Sequence, residues 1–131
     1  MLRYRNEAAF SNALVKSMRA KGWFVQRIES GQTGKGIPDI FAISPNRVAM
    51  WLELKREHTT VRGKSAVEIH WRPGQQAWLT DVNHRGMLTF TIACFDDNIL
   101  QIPHTRIYEQ NLVPAGYPGL FCCNSIKELI T

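Results

Sequence analysis

A chain of 131 residues with 44% apolar residues, 4 Trp and 6 Phe suits one folded domain, since a second would leave each half too small to bury a dependable core. No run approaches a membrane span, and no apolar stretch follows the basic N-terminal residues as in a secretory signal. The cysteines Cys94, Cys122 and Cys123 form no CxxC pair, so a reducing cytoplasm is expected and a zinc site is not. The net charge of +5 is lopsided: residues 1–72 carry 13 Lys and Arg against 6 Asp and Glu, residues 73–131 carry 3 against 5, and the basic half suits a polyanion such as nucleic acid.

Residues 6–21 are expected to form a helix, because Phe10, Leu14 and Met18 recur at spacing four, Asn6 can cap the start and Gly22 suits a left-handed stop. Residues 23–28 read as a strand. Residues 30–36, with three glycines, read as a loop. Residues 37–43 and 47–55 give two further strands, turned by Ser44-Pro45-Asn46. The polar, basic stretch 56–70 reads as an exposed loop or ribbon. A second helix opens at Pro73, carries Trp78, Leu79 and Val82 on one face and stops at Gly86. Residues 88–94 alternate as a strand, and residues 99–102 give the next. Pro103, Pro114 and Pro118 leave room only for short helices afterwards, and Ser125-Ile126-Lys127-Glu128 resembles a capping box. This order predicts an α/β domain with one mixed sheet.

Several polar residues fall on apolar faces. Glu7 shares the stripe of Phe10, Leu14 and Met18, although a helix-start Glu is also favoured by the macrodipole. The run Val48 to Leu54 is apolar on both faces until Glu53. Period two then places Glu53 and Lys55 on one face, with Leu52 and Leu54 on the other. A hairpin of the second and third strands brings Asp39 near Glu53. Two carboxylates so placed repel each other unless a divalent cation lies between them. For them to stand directly opposite, Ser44 must pair with Val48, which requires a three-residue loop from Pro45 to Arg47 or an equivalent bulge. Gln75 begins the stripe of Trp78, Leu79 and Val82, while Gln76 should face solvent.

Gly36-Ile37-Pro38-Asp39 followed by Trp51-Leu52-Glu53-Leu54-Lys55 resembles the PD-(D/E)XK nuclease signature. With Glu7 in the first helix and Arg72-Pro73-Gly74-Gln75-Gln76-Ala77-Trp78-Leu79 opening the second, the chain resembles the small stand-alone VRR-NUC nucleases of phages and bacteria over about residues 6–102. Gly74 departs from the helix-favouring residue common there and is expected to weaken the helix start slightly. Residues 103–131 lie outside the resemblance.

The resemblance implies a single restriction-endonuclease-like core, α-β-β-β-α-β, with a central mixed sheet flanked by helices. It implies an Mg²⁺-dependent DNA endonuclease, with Mn²⁺ able to substitute. Asp39, Glu53 and the backbone carbonyl of Leu54 would hold the ion, and Glu7 would bind a second ion or anchor one of its waters. Lys55 would orient the attacking water and offset charge on phosphorus, and Gln75 would brace the waters or the phosphate. Lys35, Arg56, Arg62, Lys64 and Arg72 would grip the DNA backbone. Branched DNA, four-way junctions included, and a twofold homodimer are the substrate and assembly implied. The competing expectations are a flap or repair nuclease, a non-catalytic nucleic-acid-binding module, and a partner-binding protein using the apolar 112–122 stretch.

Overall fold

A computed structural model of the chain describes residues 2, 4–28 and 36–131. The first helix, α1, spans Glu7–Ala20 and is capped by the Asn6 side chain, which accepts from the Ala9 N–H at 2.8 Å. Gly22, at φ 89°, turns the chain into β1, Phe24–Arg27. Strands β2 (Ile40–Ile43) and β3 (Ala49–Arg56) form the expected hairpin. They pair Ile40 with Leu52 and Ile43 with Ala49, and the Ser44 N–H donates to the Val48 carbonyl. The loop is therefore Pro45 to Arg47, with Arg47 in the left-handed region at φ 67°. This register places Asp39 across from Glu53.

Two regions differ from expectation. The stretch 56–70 is not simply an exposed loop. Ala66–Glu68 forms β4, and it pairs with a strand from the C-terminal extension, Leu112–Pro114. Val67, Ile69 and Trp71 are buried there, in a core shared with Phe95, Leu100, Ile102, Tyr108 and Val113. Three-residue strands paired across more than forty residues of sequence carry too little periodicity to be read beforehand. Between them lie α2 (Gln75–His84), β5 (Leu88–Cys94) and β6 (Ile99–Pro103). With Leu112–Pro114 as β7, the chain then forms β8, Phe121–Cys123, and α3, Ile126–Ile130, whose Ser125 cap accepts from the Glu128 N–H.

Among the described residues the main sheet runs β1-β2-β3-β5-β6-β8, with β3 and β5 parallel and the other neighbours antiparallel. It is a central mixed sheet with helices on its faces, as expected. One face packs Phe10, Leu14, Val15 and Met18 of α1 against Leu52, Leu54, Ile92 and Cys94, with Ile126 of α3. Truncating a fully buried residue such as Phe10 to Ala should cost about 3–5 kcal/mol. On the opposite face Trp78 of α2 meets Trp51 edge-on at 5.3 Å, and Trp51 packs on Phe41.

Gly74 corrects a sequence expectation. It precedes α2 at φ 90°, a conformation that a helix-favouring residue such as Glu adopts only with strain. A Cβ on Gly36 would sit 2.6 Å from the Gly74 carbonyl oxygen, so Gly36 serves a close approach that holds the residues before Asp39 against the start of α2. Gln76 is a second correction. Its side chain does not face solvent; it accepts from the Tyr108 N–H and donates to the Tyr108 carbonyl and to Asn111. It thereby ties α2 to the C-terminal extension.

Candidate functional site

The parity of β3 decides the site. Leu52 and Leu54 enter the α1 core, so Glu53 and Lys55 emerge on the opposite face, where both are buried. Glu53 is 2% exposed, and its two oxygens differ in surroundings. Oε2 accepts from the Gln75 side-chain amide at 2.9 Å and stands 3.6 Å from the Lys55 Nζ. Oε1 has no hydrogen-bond partner. Burial, with the Asp39 charge adding to it, pushes the Glu53 carboxyl up to about 8. Asp39 is fixed in turn, because its Oδ2 accepts the Leu54 N–H at 2.9 Å.

Gln75 joins the two sides of the site. Its amide nitrogen holds Glu53, and its Oε1 accepts the Arg72 N–H at 2.8 Å, which secures the first turn of α2 where Gly74 offers no cap. Glu7, at the start of α1, lines two surface cavities. One, of about 380 Å³, it shares with Asp39, Leu54 and Arg27. The other, of about 440 Å³, it shares with Lys55, His70 and Arg72. Partial burial, then the Asp39 charge, raises the Glu7 pKa. The structure thus brings Asp39, Glu53, Lys55 and Gln75 together, with Glu7 facing them from the helix. No group of three His, Cys, Asp or Glu side chains among the described residues is placed to hold a metal ion. The Asp39–Glu53 pair is the carboxylate core, and a three-carboxylate cage with Glu7 is not formed.

This pair nevertheless fits a divalent cation. A buried carboxylate oxygen without a donor, beside a second carboxylate, needs either a proton or a cation. Asp39 opens to a solvent cavity and Glu53 lies buried beside it, two hard oxygen groups of the kind Mg²⁺ and Mn²⁺ prefer, with further coordination positions left for water and a phosphate.

The expected DNA-gripping residues divide. Lys35 lies outside the described residues. Arg62, Lys64 and Arg72 are exposed, and Arg72 lines the cavity of Lys55. Arg56 is not available for DNA. Its side chain is 6% exposed and is consumed internally by Asp96 at 2.6 Å, the Tyr4 carbonyl at 2.6 Å, and the Glu57 and Cys94 carbonyls. The reason is again parity, since Arg56 follows Leu52 and Leu54 on the helix-covered face. Two features were missed. Arg27, at the end of β1, is steadied by Asn12 at 2.9 Å and Ser11 at 3.4 Å beside the Asp39 cavity. Glu57 continues the alternation of Glu53 and Lys55 and is buried, a signal the sequence did contain.

No protein-family model matches the chain, and no curated protein matches it. Among solved structures it is similar to Archaeoglobus fulgidus Hjc, a Holliday junction resolvase from an archaeal hyperthermophile. The TM-score is 0.63 and the identity 16%, with 95% of this chain and 99% of that chain covered. At that identity the likeness is one of fold: the mixed sheet and its flanking helices are those of the resolvase.

Proposed function

We propose that this chain is a divalent-metal-dependent DNA endonuclease of the PD-(D/E)XK type, similar to the VRR-NUC nucleases and selective for branched DNA. The observation that carries the reading is the orphaned, buried Glu53 oxygen beside Asp39, with Lys55 and Gln75 converging on the same carboxylate. The resolvase fold supports it over nearly the whole chain.

Asp39, Glu53 and the Leu54 carbonyl would hold Mg²⁺ or Mn²⁺. When bound, the ion supplies Lewis-acid polarisation of the phosphodiester and a lowered pKa for water. Asp39 is held for this task by the Leu54 N–H, and Glu53 by Gln75. Lys55 donates from its ammonium toward the attacking water and offsets the charge that builds on the phosphate. Glu7 orders water at the mouth of the site. Arg27 and Arg72, on either side, contact the flanking backbone. Twofold dimerisation belongs to the proposal, because two strands of a junction require two such centres.

The partner-binding alternative rests on the 112–122 stretch. Within the 112–122 stretch, Leu112–Pro114 pairs with β4 and Phe121 and Cys122 pair with β6, and Leu112 and Phe121 are its exposed large hydrophobic residues. No helix of the described residues is long and apolar enough to cross a membrane.

The test is gel cleavage of a four-way junction, a flap, a nicked duplex and a plain duplex with Mg²⁺, Mn²⁺ or Ca²⁺. Metal-dependent cutting that favours the branched substrates is expected. Metal-independent binding with no cutting would identify a non-catalytic nucleic-acid-binding module instead.

A further inference from the structure

Glu57 is buried to 4% exposure, at an energetic cost that the proposed hydrolysis does not explain. Both of its oxygens are spent on one residue. Oε2 accepts the His70 N–H at 2.9 Å, and Oε1 meets the His70 Nδ1 at 2.5 Å. The His70 side chain itself is 74% exposed. A buried carboxylate therefore fixes the orientation of a surface imidazole, leaving Nε2 free to act outward. Alternation sets this up: Ile69 and Trp71 are buried in the second core, so His70 must face away from it. The imidazole opens into the 440 Å³ cavity that also holds Lys55, Arg72 and Glu7. A fixed N–H donor and a guanidinium around the cavity that the hydrolytic lysine also lines match the tetrahedral oxygens of a phosphodiester.

We propose that His70, oriented by Glu57 and flanked by Arg72, is a binding subsite for the DNA backbone phosphate next to the scissile one. This rests on the nuclease reading above only for what lies at the neighbouring centre. The charges around the imidazole are consistent with the role. The bond to Glu57 foremost, then the charges of Glu57 and Glu68, raises the His70 pKa, while Lys55 opposes them. Arg56, Arg72 and Glu7 line the same cavity, and His58 is the other titratable group there. The subsite therefore presents a cationic donor to a phosphate across more of the neutral range than a free histidine would.

The experiment measures binding of a fluorescent four-way junction in Ca²⁺, by anisotropy, at pH 6.5 and a series of salt concentrations. His70→Ala is expected to weaken binding about 5- to 10-fold and to reduce the salt slope by about one, the release of one phosphate counterion. Glu57→Gln keeps size and burial but loosens the imidazole, and it should weaken binding by a smaller factor. Its melting temperature separates a folding defect from a loss of positioning. The melting temperature of His70→Ala is measured as well, because removing the imidazole leaves the buried Glu57 Oε1 without its partner. A junction carrying a neutral methylphosphonate at the phosphate flanking the cut should show little difference between wild type and His70→Ala.

Wild-type affinity and salt slope in His70→Ala, with cutting intact, would overturn this subsite while leaving the nuclease reading in place. A reduced slope in His70→Ala, alongside a wild type that never cuts, would sustain the phosphate subsite and sink the nuclease reading. A wild type with no affinity for DNA would remove both.

Discussion

Glu53 and Thr91 are register partners on neighbouring strands, and their side chains share the same buried face of the sheet. Their surroundings are opposite. Thr91 Oγ1 accepts the Trp71 indole N–H at 2.9 Å and bonds His104 Nε2 at 2.7 Å, inside an aromatic cluster that stacks Trp71 on Tyr108 at 5.8 Å. That polar network is neutral: burial lowers the His104 pKa to about 3. Glu53 instead has an unpartnered oxygen, a second carboxylate nearby and an ammonium at 3.6 Å. His104 Nδ1 also lacks a partner in that network, but it belongs to an uncharged ring whose other nitrogen is held by Thr91, whereas a bare carboxylate oxygen beside a like charge is suited to a ligand.

Mutations on the two sides should therefore fail differently. The largest effect belongs to the Glu53 side. Asp39→Asn can still accept the Leu54 N–H yet loses its charge, and Lys55→Ala loses the ammonium. Each should reduce Mg²⁺-dependent junction cleavage by at least about 10³-fold, about 4 kcal/mol of transition-state stabilisation, and both proteins should still melt cooperatively. Gel cleavage with circular dichroism melting separates the two readouts. Near wild-type cutting by either variant would remove that residue from the chemistry.

Much of that side was legible in the sequence. The parity argument required Ser44 to pair with Val48, and the hairpin obeys it because three residues, one of them left-handed, close the turn. Gln75 was legible as the polar start of an apolar helix stripe. The same parity assigns Arg56 to the face of Leu52 and Leu54, although its charge alone suggests a DNA contact. The Thr91 side was hidden. Its strands β4 and β7 are three residues long and pair between segments far apart in sequence, so no local period announces them. The Glu57–His70 pairing was hidden for the same reason, although the burial of Glu57 was not.

On the Thr91 side, Thr91→Val removes the hydroxyl that serves both Trp71 and His104. It should cost about 1–3 kcal/mol, because two buried groups lose their partner, and chemical denaturation would measure it. An unchanged midpoint would mean that the network contributes nothing. Gly36→Ala sharpens the comparison from between the two regions. The added Cβ meets the Gly74 carbonyl oxygen at 2.6 Å, and φ is 91°. Strain of about 1–3 kcal/mol is expected, with cleavage falling more than stability because Asp39 is displaced. A fully active, equally stable variant would contradict the close approach.

A further expected effect is in pH. Unfolded His104 titrates near its ordinary value of 6.5, and folded His104 near 3. Between those values the unfolded chain takes up a proton that the folded chain refuses, so stability falls as pH drops through that window. His104→Gln should shrink the difference in urea midpoint between pH 7 and pH 4.5. An identical difference in both proteins would show that His104 is not the group responsible.

The account turns on whether the bare Glu53 oxygen and Asp39 together bind a cation. Isothermal titration of Mn²⁺ into the wild-type protein and into Asp39→Asn, without DNA, asks this directly. The prediction is saturable binding to the wild type that disappears in the variant. Equal heats from both proteins, or none from the wild type, would contradict it.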